Sequence, residues 1–149
     1  MSKSFSLQPL LELSQERLDA ATRQLGELIA KEQEGTRKLE LLNDYRSEYA
    51  TRFQDAARNG LTPDAWRNYS SFISRIDEAI AAQVIQLSQS KQRTAAGQQA
   101  WVTQRNKVKA FDTLQQRHNA ELLKQTARQE QKQSDEHSAK QFSQKQQEY

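Results

Sequence analysis

The side chains that most often carry out chemistry are sparse in this sequence and lie far apart. The two histidines, His118 and His137, are distant along the chain, and there is no cysteine. A protein zinc site needs several His, Cys or carboxylate ligands, usually at short and regular spacing. We therefore expect no metal site and interpret both histidines as solvated side chains on polar helices.

The acidic residues and glycines also match no catalytic motif. Asp77 and Glu78 are neighbours, so on a helix their side chains diverge and cannot act on one substrate atom. The glycines are isolated and form neither GxxxxGK[ST] nor GxGxxG, the loops that hold phosphate groups. We predict a protein that is not an enzyme and that needs no cofactor.

The composition favours long helices over a wide globular core. Only 35% of the residues are hydrophobic, glycine and proline together number six, and glutamine occurs 22 times. Typical globular domains contain roughly 45–50% apolar residues when glycine is included. The lack of cysteine fits a reducing compartment. Since no apolar run approaches the ~20 residues that span a bilayer, we expect a soluble protein without direct membrane insertion.

The few turn-forming residues are concentrated near the middle of the chain. Gly60 follows Asn59 and can end a helix in the left-handed conformation. Thr62 suits the N-cap of a second helix, and Pro63 suits its first position, where a backbone N–H is not needed. The pattern predicts a helical hairpin with its turn near residues 59–62.

Apolar residues recur with a seven-residue period on both sides of this turn. The repeat runs from Leu11 to Ala56 and from Trp66 to Leu122. An antiparallel pair that folds back at residue 61 places opposite positions so that their numbers sum to 122. The expected pairs include Ala56 with Trp66, Phe53 with Tyr69, Gly35 with Leu87, Ala21 with Trp101 and Leu25 with Gly97.

Small residues face large ones in several of these layers, as dense packing prefers. The alternative is that the glycines are tolerated defects, each costing about 1 kcal/mol relative to alanine. We predict an all-α protein, a long two-stranded antiparallel coiled-coil hairpin that is rod-shaped and monomeric on its own. The hairpin domain comprises residues 1–123, with arms at about 8–58 and 63–123. Residues 124–149 form a polar tail that is a frayed helix or disordered.

One edge of the predicted coiled coil is basic. It consists of the g positions, which face each other in an antiparallel pair. Six of them are basic: Arg17, Lys31, Lys38, Arg52, Arg93 and Lys107. Like charges that approach across a helix pair are unfavourable, so this edge is suited to an acidic partner. Chance clustering is the alternative explanation.

Near the turn the same edge carries aromatic and small residues. Tyr45 lies on the first arm, and a helical row on the second arm comprises Phe72, Ile76, Ala79 and Gln83. A partly exposed aromatic row of this kind is typical of a protein-docking patch. Alternatively, Phe72 folds back over a hydrophobic staple formed by Leu61 and Trp66.

A block around the turn has further recognisable residues: Asn59-Gly60, Trp66, Asn68-Tyr69, Phe72-Ile73, Ile76 and Ala79-Ile80. This block resembles the central hairpin of the bacterial flagellar export protein family FliJ, and the resemblance extends over most of the chain. It implies an antiparallel hairpin similar to the central stalk of rotary ATPases. It also implies a role in flagellum biogenesis, motility and chemotaxis through the flagellar type III export apparatus.

The resemblance implies three partners: the flagellar export ATPase, the membrane export gate protein and export chaperones. It places gate binding on Phe72, Ile76 and Ala79, with Gln83 next in the row and Tyr45 on the same edge. Combined with the charge pattern, it suggests that the ATPase contacts the basic edge. The candidate residues for that contact are Arg17, Lys31, Lys38, Arg93 and Lys107. The implied location is cytoplasmic and peripheral at the inner membrane.

We therefore predict a stalk-like factor that couples the export ATPase ring to the export gate. The first alternative is an export chaperone or escort protein that binds chaperones or substrates without ATPase coupling. A scaffold of parallel dimers is a second. Nucleic-acid binding is disfavoured, because the net charge is only +3 and uncharged residues interrupt the basic edge.

Overall fold

The computed structural model describes residues 7–147, which form two long helices joined by a short turn. Helix α1 spans Gln8–Arg58 and helix α2 spans Pro63–Gln147. They pack against each other as an antiparallel helical hairpin, and residues 7–147 contain no β-strand. The predicted fold class is therefore confirmed. Residues 1–6 and 148–149 of the predicted domains lie outside the described range.

The chain divides into two compact units, which we describe separately. The hairpin unit is Leu18–Gln104 and contains the turn. The terminal unit combines residues 7–17 with residues 105–147 in the part that the structure describes. The boundary near residue 123, predicted between the hairpin domain and the tail, does not coincide with the boundaries of these two units. It stays a prediction.

The turn has the two caps that the sequence predicts. Gly60 has a φ of 92°, a left-handed conformation that residues with a Cβ rarely adopt. Its N–H donates to the carbonyl oxygen of Ala57 at 3.3 Å. At the start of α2 the hydroxyl of Thr62 accepts a hydrogen bond from the N–H of Ala65 at 3.2 Å. Both helix ends are thus satisfied locally, which permits a short connection.

The core of the hairpin unit is a narrow seam between the two helices. Ile76 and Leu87 are the buried apolar side chains among residues 7–147, with 7% and 8% of their surface exposed. Most of the other predicted heptad positions are half-buried. Each helix can cover only one stripe of its neighbour, so the remaining faces stay in contact with solvent.

Contacts across the seam confirm the predicted register of the hairpin unit. A Cβ placed on Gly35 would lie 3.3 Å from Cδ1 of Leu87. The rings of Phe53 and Tyr69 meet edge to face with centroids 5.6 Å apart. Both pairs have residue numbers that sum to 122, as the antiparallel arrangement requires.

The helices approach closely at Gly97. A Cβ on this residue would lie 2.5 Å from Cδ1 of Leu28, closer than carbon atoms can pack, and 3.7 Å from Cδ1 of the predicted partner Leu25. Gly97 is therefore part of a compensated layer and not a tolerated defect. Gly26, by contrast, would bring a Cβ within 4 Å of no other group outside its local helix backbone.

Large rings near the turn extend beyond their own layer. Trp66, predicted to face Ala56 in the seam, is 52% exposed. Its ring packs on Phe53 with centroids 4.8 Å apart. An indole is too large to fit wholly within a two-helix seam, so it covers the neighbouring layer and keeps one face in water.

In the terminal unit α2 continues as a helix through Gln147, and every residue from 119 to 147 is exposed. Of the two expectations for residues 124–149, a frayed helix or a disordered tail, the described part is helical through Gln147, and the expectation of fraying stays a prediction. The sequence has no glycine or proline after Gly97 to end a helix. Leu122, the last predicted seam position, is 40% exposed.

Among the described residues, no helical segment is both long enough and apolar enough to cross a lipid bilayer.

Two of the helix-interior glycines of the hairpin unit, Gly26 and Gly97, provide a matched test of the packing. Gly26→Ala should raise the free energy of unfolding by about 1 kcal/mol, because alanine has the higher helix propensity and meets no obstacle. Gly97→Ala should raise the free energy of unfolding by less than Gly26→Ala, or lower it, since the added methyl must displace the side chain of Leu28. Urea unfolding followed by far-UV circular dichroism measures both. An equal or larger gain at Gly97 would contradict the close approach.

Candidate partner-binding surfaces

Three exposed residues near the turn lie on one edge of the predicted repeat, and we call them together the aromatic patch: Tyr45, Phe72 and Ala79. Tyr45 is 49% exposed and Phe72 is 40% exposed. The ring of Phe72 packs on Tyr49, with centroids 4.3 Å apart. Phe72 is thus supported from α1 while part of its ring faces solvent, as expected of a docking residue.

The other two residues of the predicted row lie in the seam. Ile76 is buried, and the side-chain amide of Gln83 donates to the carbonyl oxygen of Gly35 at 3.1 Å. The seven-residue repeat explains this division, because residues seven apart occupy equivalent positions around a coiled coil. Phe72 and Ala79 therefore lie nearly in line, whereas Ile76 and Gln83 are rotated toward α1.

Three of the five predicted basic residues converge on one groove in the hairpin unit. Lys31 and Lys38 line it from α1, and Arg93 lines it from α2. Between them lie Gly35 and Leu87. We call this surface the basic groove. All three cations are exposed, so a negatively charged group can reach them.

The other two basic residues, Arg17 and Lys107, belong to the terminal unit. Both are exposed, and neither lines the basic groove. The predicted basic edge therefore consists of one converging set of cations and two further cations that we treat separately.

Residues 2–147 match the protein family described as Flagellar FliJ protein. The chain belongs to this family. It is 32% identical to the Flagellar FliJ protein of Salmonella typhi over 136 residues, which cover 91% of this chain and 92% of the relative. Its identity with the Flagellar FliJ protein of Escherichia coli K12 is 30%, with the same coverage. The FliJ resemblance is thereby confirmed, and the chain is a component of flagellar protein export.

In this FliJ chain the structure also reveals a cross-helix ion pair that the sequence analysis did not predict. The guanidinium of Arg46 donates from Nε and Nη2 to the two carboxylate oxygens of Asp77. The hydrogen bond from Arg46 to Asp77, followed by the charge of Asp77, raises the pKa of Arg46.

The seven-residue repeat in the sequence already contained an indication of this ion pair. Arg46 occupies a seam position, and the residue opposite it in the register is Ile76, next to Asp77. A charge at a seam position must either reach solvent or find a partner. Here it does both, since the side chains of Arg46 and Asp77 are each about half exposed. The contribution of such a pair to stability is modest and falls with added salt.

Arg52 is held beside the aromatic patch. Its guanidinium donates to Glu48 at 3.3 Å and lies 5.4 Å from the ring centroid of Tyr49. This local pairing separates Arg52 from the five cations that we assign to partner binding. Within residues 7–147 no group of three or more His, Cys, Asp or Glu residues is placed to hold a metal ion.

Two residues of the predicted row should respond differently to substitution. Ile76→Ala should lower the free energy of unfolding by about 2 kcal/mol or more, because it leaves a cavity in the seam. Ala79→Gln, one helical turn away on the exposed face, should change it by less than about 0.5 kcal/mol. Urea unfolding of the two variants measures this difference. Equal losses would show that both residues face α1.

Proposed function

We propose that this FliJ protein is a non-enzymatic factor that couples the flagellar export ATPase ring to the membrane export gate. It acts as a monomer at the cytoplasmic side of the inner membrane and also associates with export chaperones. A helix pair can link a nucleotide-driven ring to a membrane component mechanically, while the chemistry stays in the ATPase. Membership of the FliJ family supports a role in flagellar export. The two surfaces of the hairpin unit support one contact with the ATPase and a separate contact with the gate.

The observation that carries the proposal is that two chemically different surfaces follow each other along one edge. Lys31, Lys38 and Tyr45 are spaced by seven residues, so they lie on the same face of α1. At ~1.5 Å per residue, Lys38 and Tyr45 are about 10 Å apart along the helix. One edge can therefore offer a charged contact to one partner and an apolar contact to another.

We assign the gate contact to the aromatic patch. Tyr45, Phe72 and Ala79 provide the accessible surface, and two exposed rings are the kind of side chain that dominates binding energy in interfaces. Ile76 and Gln83 contribute from the seam, where they position the α2 backbone beneath the patch.

We assign the ATPase contact to the five cations Arg17, Lys31, Lys38, Arg93 and Lys107. Exposed positive charges attract an acidic surface over a distance of about 10 Å at moderate salt. Such contacts form quickly and rearrange readily, which suits a protein that must follow an ATPase through its cycle.

The gate assignment predicts a specific loss of binding. Tyr45→Ala combined with Phe72→Ala should weaken binding to the purified cytoplasmic part of the gate protein at least about tenfold, because both ring anchors are removed. Calorimetry measures the affinity, and circular dichroism checks that the helices persist. Ile85→Ala is the control, since Ile85 is apolar and 59% exposed but lies outside the patch. Unchanged affinity in the folded double variant would refute the assignment.

The ATPase assignment predicts a loss of ATPase binding that depends on the salt concentration. Lys31→Glu combined with Arg93→Glu should reduce binding to the export ATPase and stimulation of its turnover, most strongly at low salt, where charges are least screened. Arg23→Glu combined with Lys91→Glu is the control, because it reverses two exposed cations outside the assigned contact. Equal effects of the two double variants would argue against the assignment. If the unmodified protein binds the gate but leaves ATPase turnover unchanged, the escort function replaces the coupling function.

A further inference from the structure

The basic groove has an unusual floor for a coiled-coil surface. Gly35 lacks a side chain at a seam position, and the nearest atom to its absent Cβ is Cδ1 of Leu87, at 3.3 Å. The amide of Gln83 is drawn toward α1 by its hydrogen bond to the Gly35 carbonyl. Leu87 and the Gln83 amide, 3.6 Å from the absent Cβ, thus take up much of the space beside Gly35. The part of the groove that remains, which we call the notch, has the buried Leu87 beside it and polar side chains around it.

The charge of the cations around this notch is not fully compensated among the residues that the structure describes. Lys31, Lys38 and Arg93 form no ion pair among the residues that the structure describes. Glu34 also lines the groove and lies three and four residues from the two lysines, at spacings that allow pairing on a helix. Even so, three cations face one anion, and the groove keeps a net positive charge.

The donors of the groove are all side chains. It lies in the middle of both helices, where the backbone N–H groups are used in the helical hydrogen bonds. Phosphate sites in proteins usually rely on free backbone N–H groups at helix N-termini or in loops. Gln86, Gln89 and Ser90 are the additional polar lining residues. This set is better suited to separate carboxylates along a chain than to one compact phosphate.

The dimensions of the groove match a short stretch of protein. Its lining extends from Lys31 to Lys38 on α1 and from Gln83 to Arg93 on α2. At ~1.5 Å per residue these stretches measure about 10 and 15 Å, or two to three turns of a partner helix. A helix of that length can present two or three carboxylates to the cations and one apolar side chain to the notch.

We infer that the basic groove is a docking site for an acidic amphipathic helix of a partner protein, whose carboxylates face Lys31, Lys38 and Arg93 while an apolar side chain enters the notch at Gly35. This inference rests on the proposed function. It assigns the charged contact proposed there to one groove and to one kind of partner, an acidic helix. It excludes Arg17 and Lys107 from the docking site. The apolar side chain in the notch adds affinity for the partner helix that does not depend on salt, because apolar burial is not screened by ions.

The experiment uses the full chain and a synthetic helical peptide as the probe. The peptide carries glutamates at i and i+4 beside one leucine on an alanine and glutamine background, with a fluorescein label. Fluorescence anisotropy should detect binding at low salt, and the same peptide with glutamine in place of each glutamate should bind at least about tenfold more weakly. NMR spectra of the ¹⁵N-labelled protein should show the largest shifts at the amides of Gly35 and Leu87.

Substitutions locate the site independently of stability. Lys38→Gln combined with Arg93→Gln should weaken peptide binding at least about tenfold, whereas Arg23→Gln combined with Lys91→Gln should leave it within about twofold. Equal binding of the two peptides, or shifts centred away from Gly35, would overturn the inference. So would displacement of the peptide by millimolar inorganic phosphate, or tighter binding of duplex DNA to the same amides, because either would identify a different occupant.

The same variants distinguish this inference from the proposed function. If Lys38→Gln with Arg93→Gln abolishes peptide binding but leaves ATPase binding intact, the groove is a docking site and the ATPase assignment fails. If the peptide does not bind while the ATPase contact still depends on these cations, the inference fails and the proposed function stands.

Discussion

The structure depends on one constraint, the narrowness of the contact between two helices. A helix pair can bury only one stripe of each partner, and in the hairpin unit that stripe contains the buried Ile76 and Leu87. Stability must therefore come from many half-buried layers in a fixed register. The close approach at Gly97 and the notch at Gly35 belong to this packing, and the other faces of both helices remain available for partners.

Both candidate surfaces are consequences of the same seam. Phe72 is exposed but rests on Tyr49, one helical turn from buried Ile76. The basic groove likewise lies over Leu87, another buried residue. Each surface thus has a buried seam residue close by, so the side chains that we propose to face partners are supported by the packing of the seam. Precise placement of a few groups is what recognition requires, and here the coiled coil provides it without a globular core.

Much of this arrangement was predictable because helix periodicity determines which positions share a face. The caps at Gly60 and Thr62 and the pairing of Gly35 with Leu87 follow from residue type and spacing alone. The Arg46–Asp77 pair was harder to predict, since it depends on how the long side chain of Arg46 reaches from its seam position to Asp77 on the other helix. Beyond residue 123 the polar composition left a frayed helix and a disordered tail both open, and without helix breakers α2 continues through Gln147. The split of the Phe72 row was missed because a spacing of three or four was treated as a single face.

The central claim is that the chain folds back once and pairs with itself in an antiparallel register. Because the protein has no cysteine, two introduced cysteines can carry nitroxide labels for electron paramagnetic resonance distance measurements. Labels at Gln24 and Ala100, on the same edge of neighbouring helices, should be about 20 Å apart, while labels at Gln24 and Ser70 should be about 40 Å apart. Both distances should persist when the sample is diluted with unlabelled protein. A short distance that disappears on dilution, or a Gln24–Ala100 distance that exceeds the Gln24–Ser70 distance, would contradict the account.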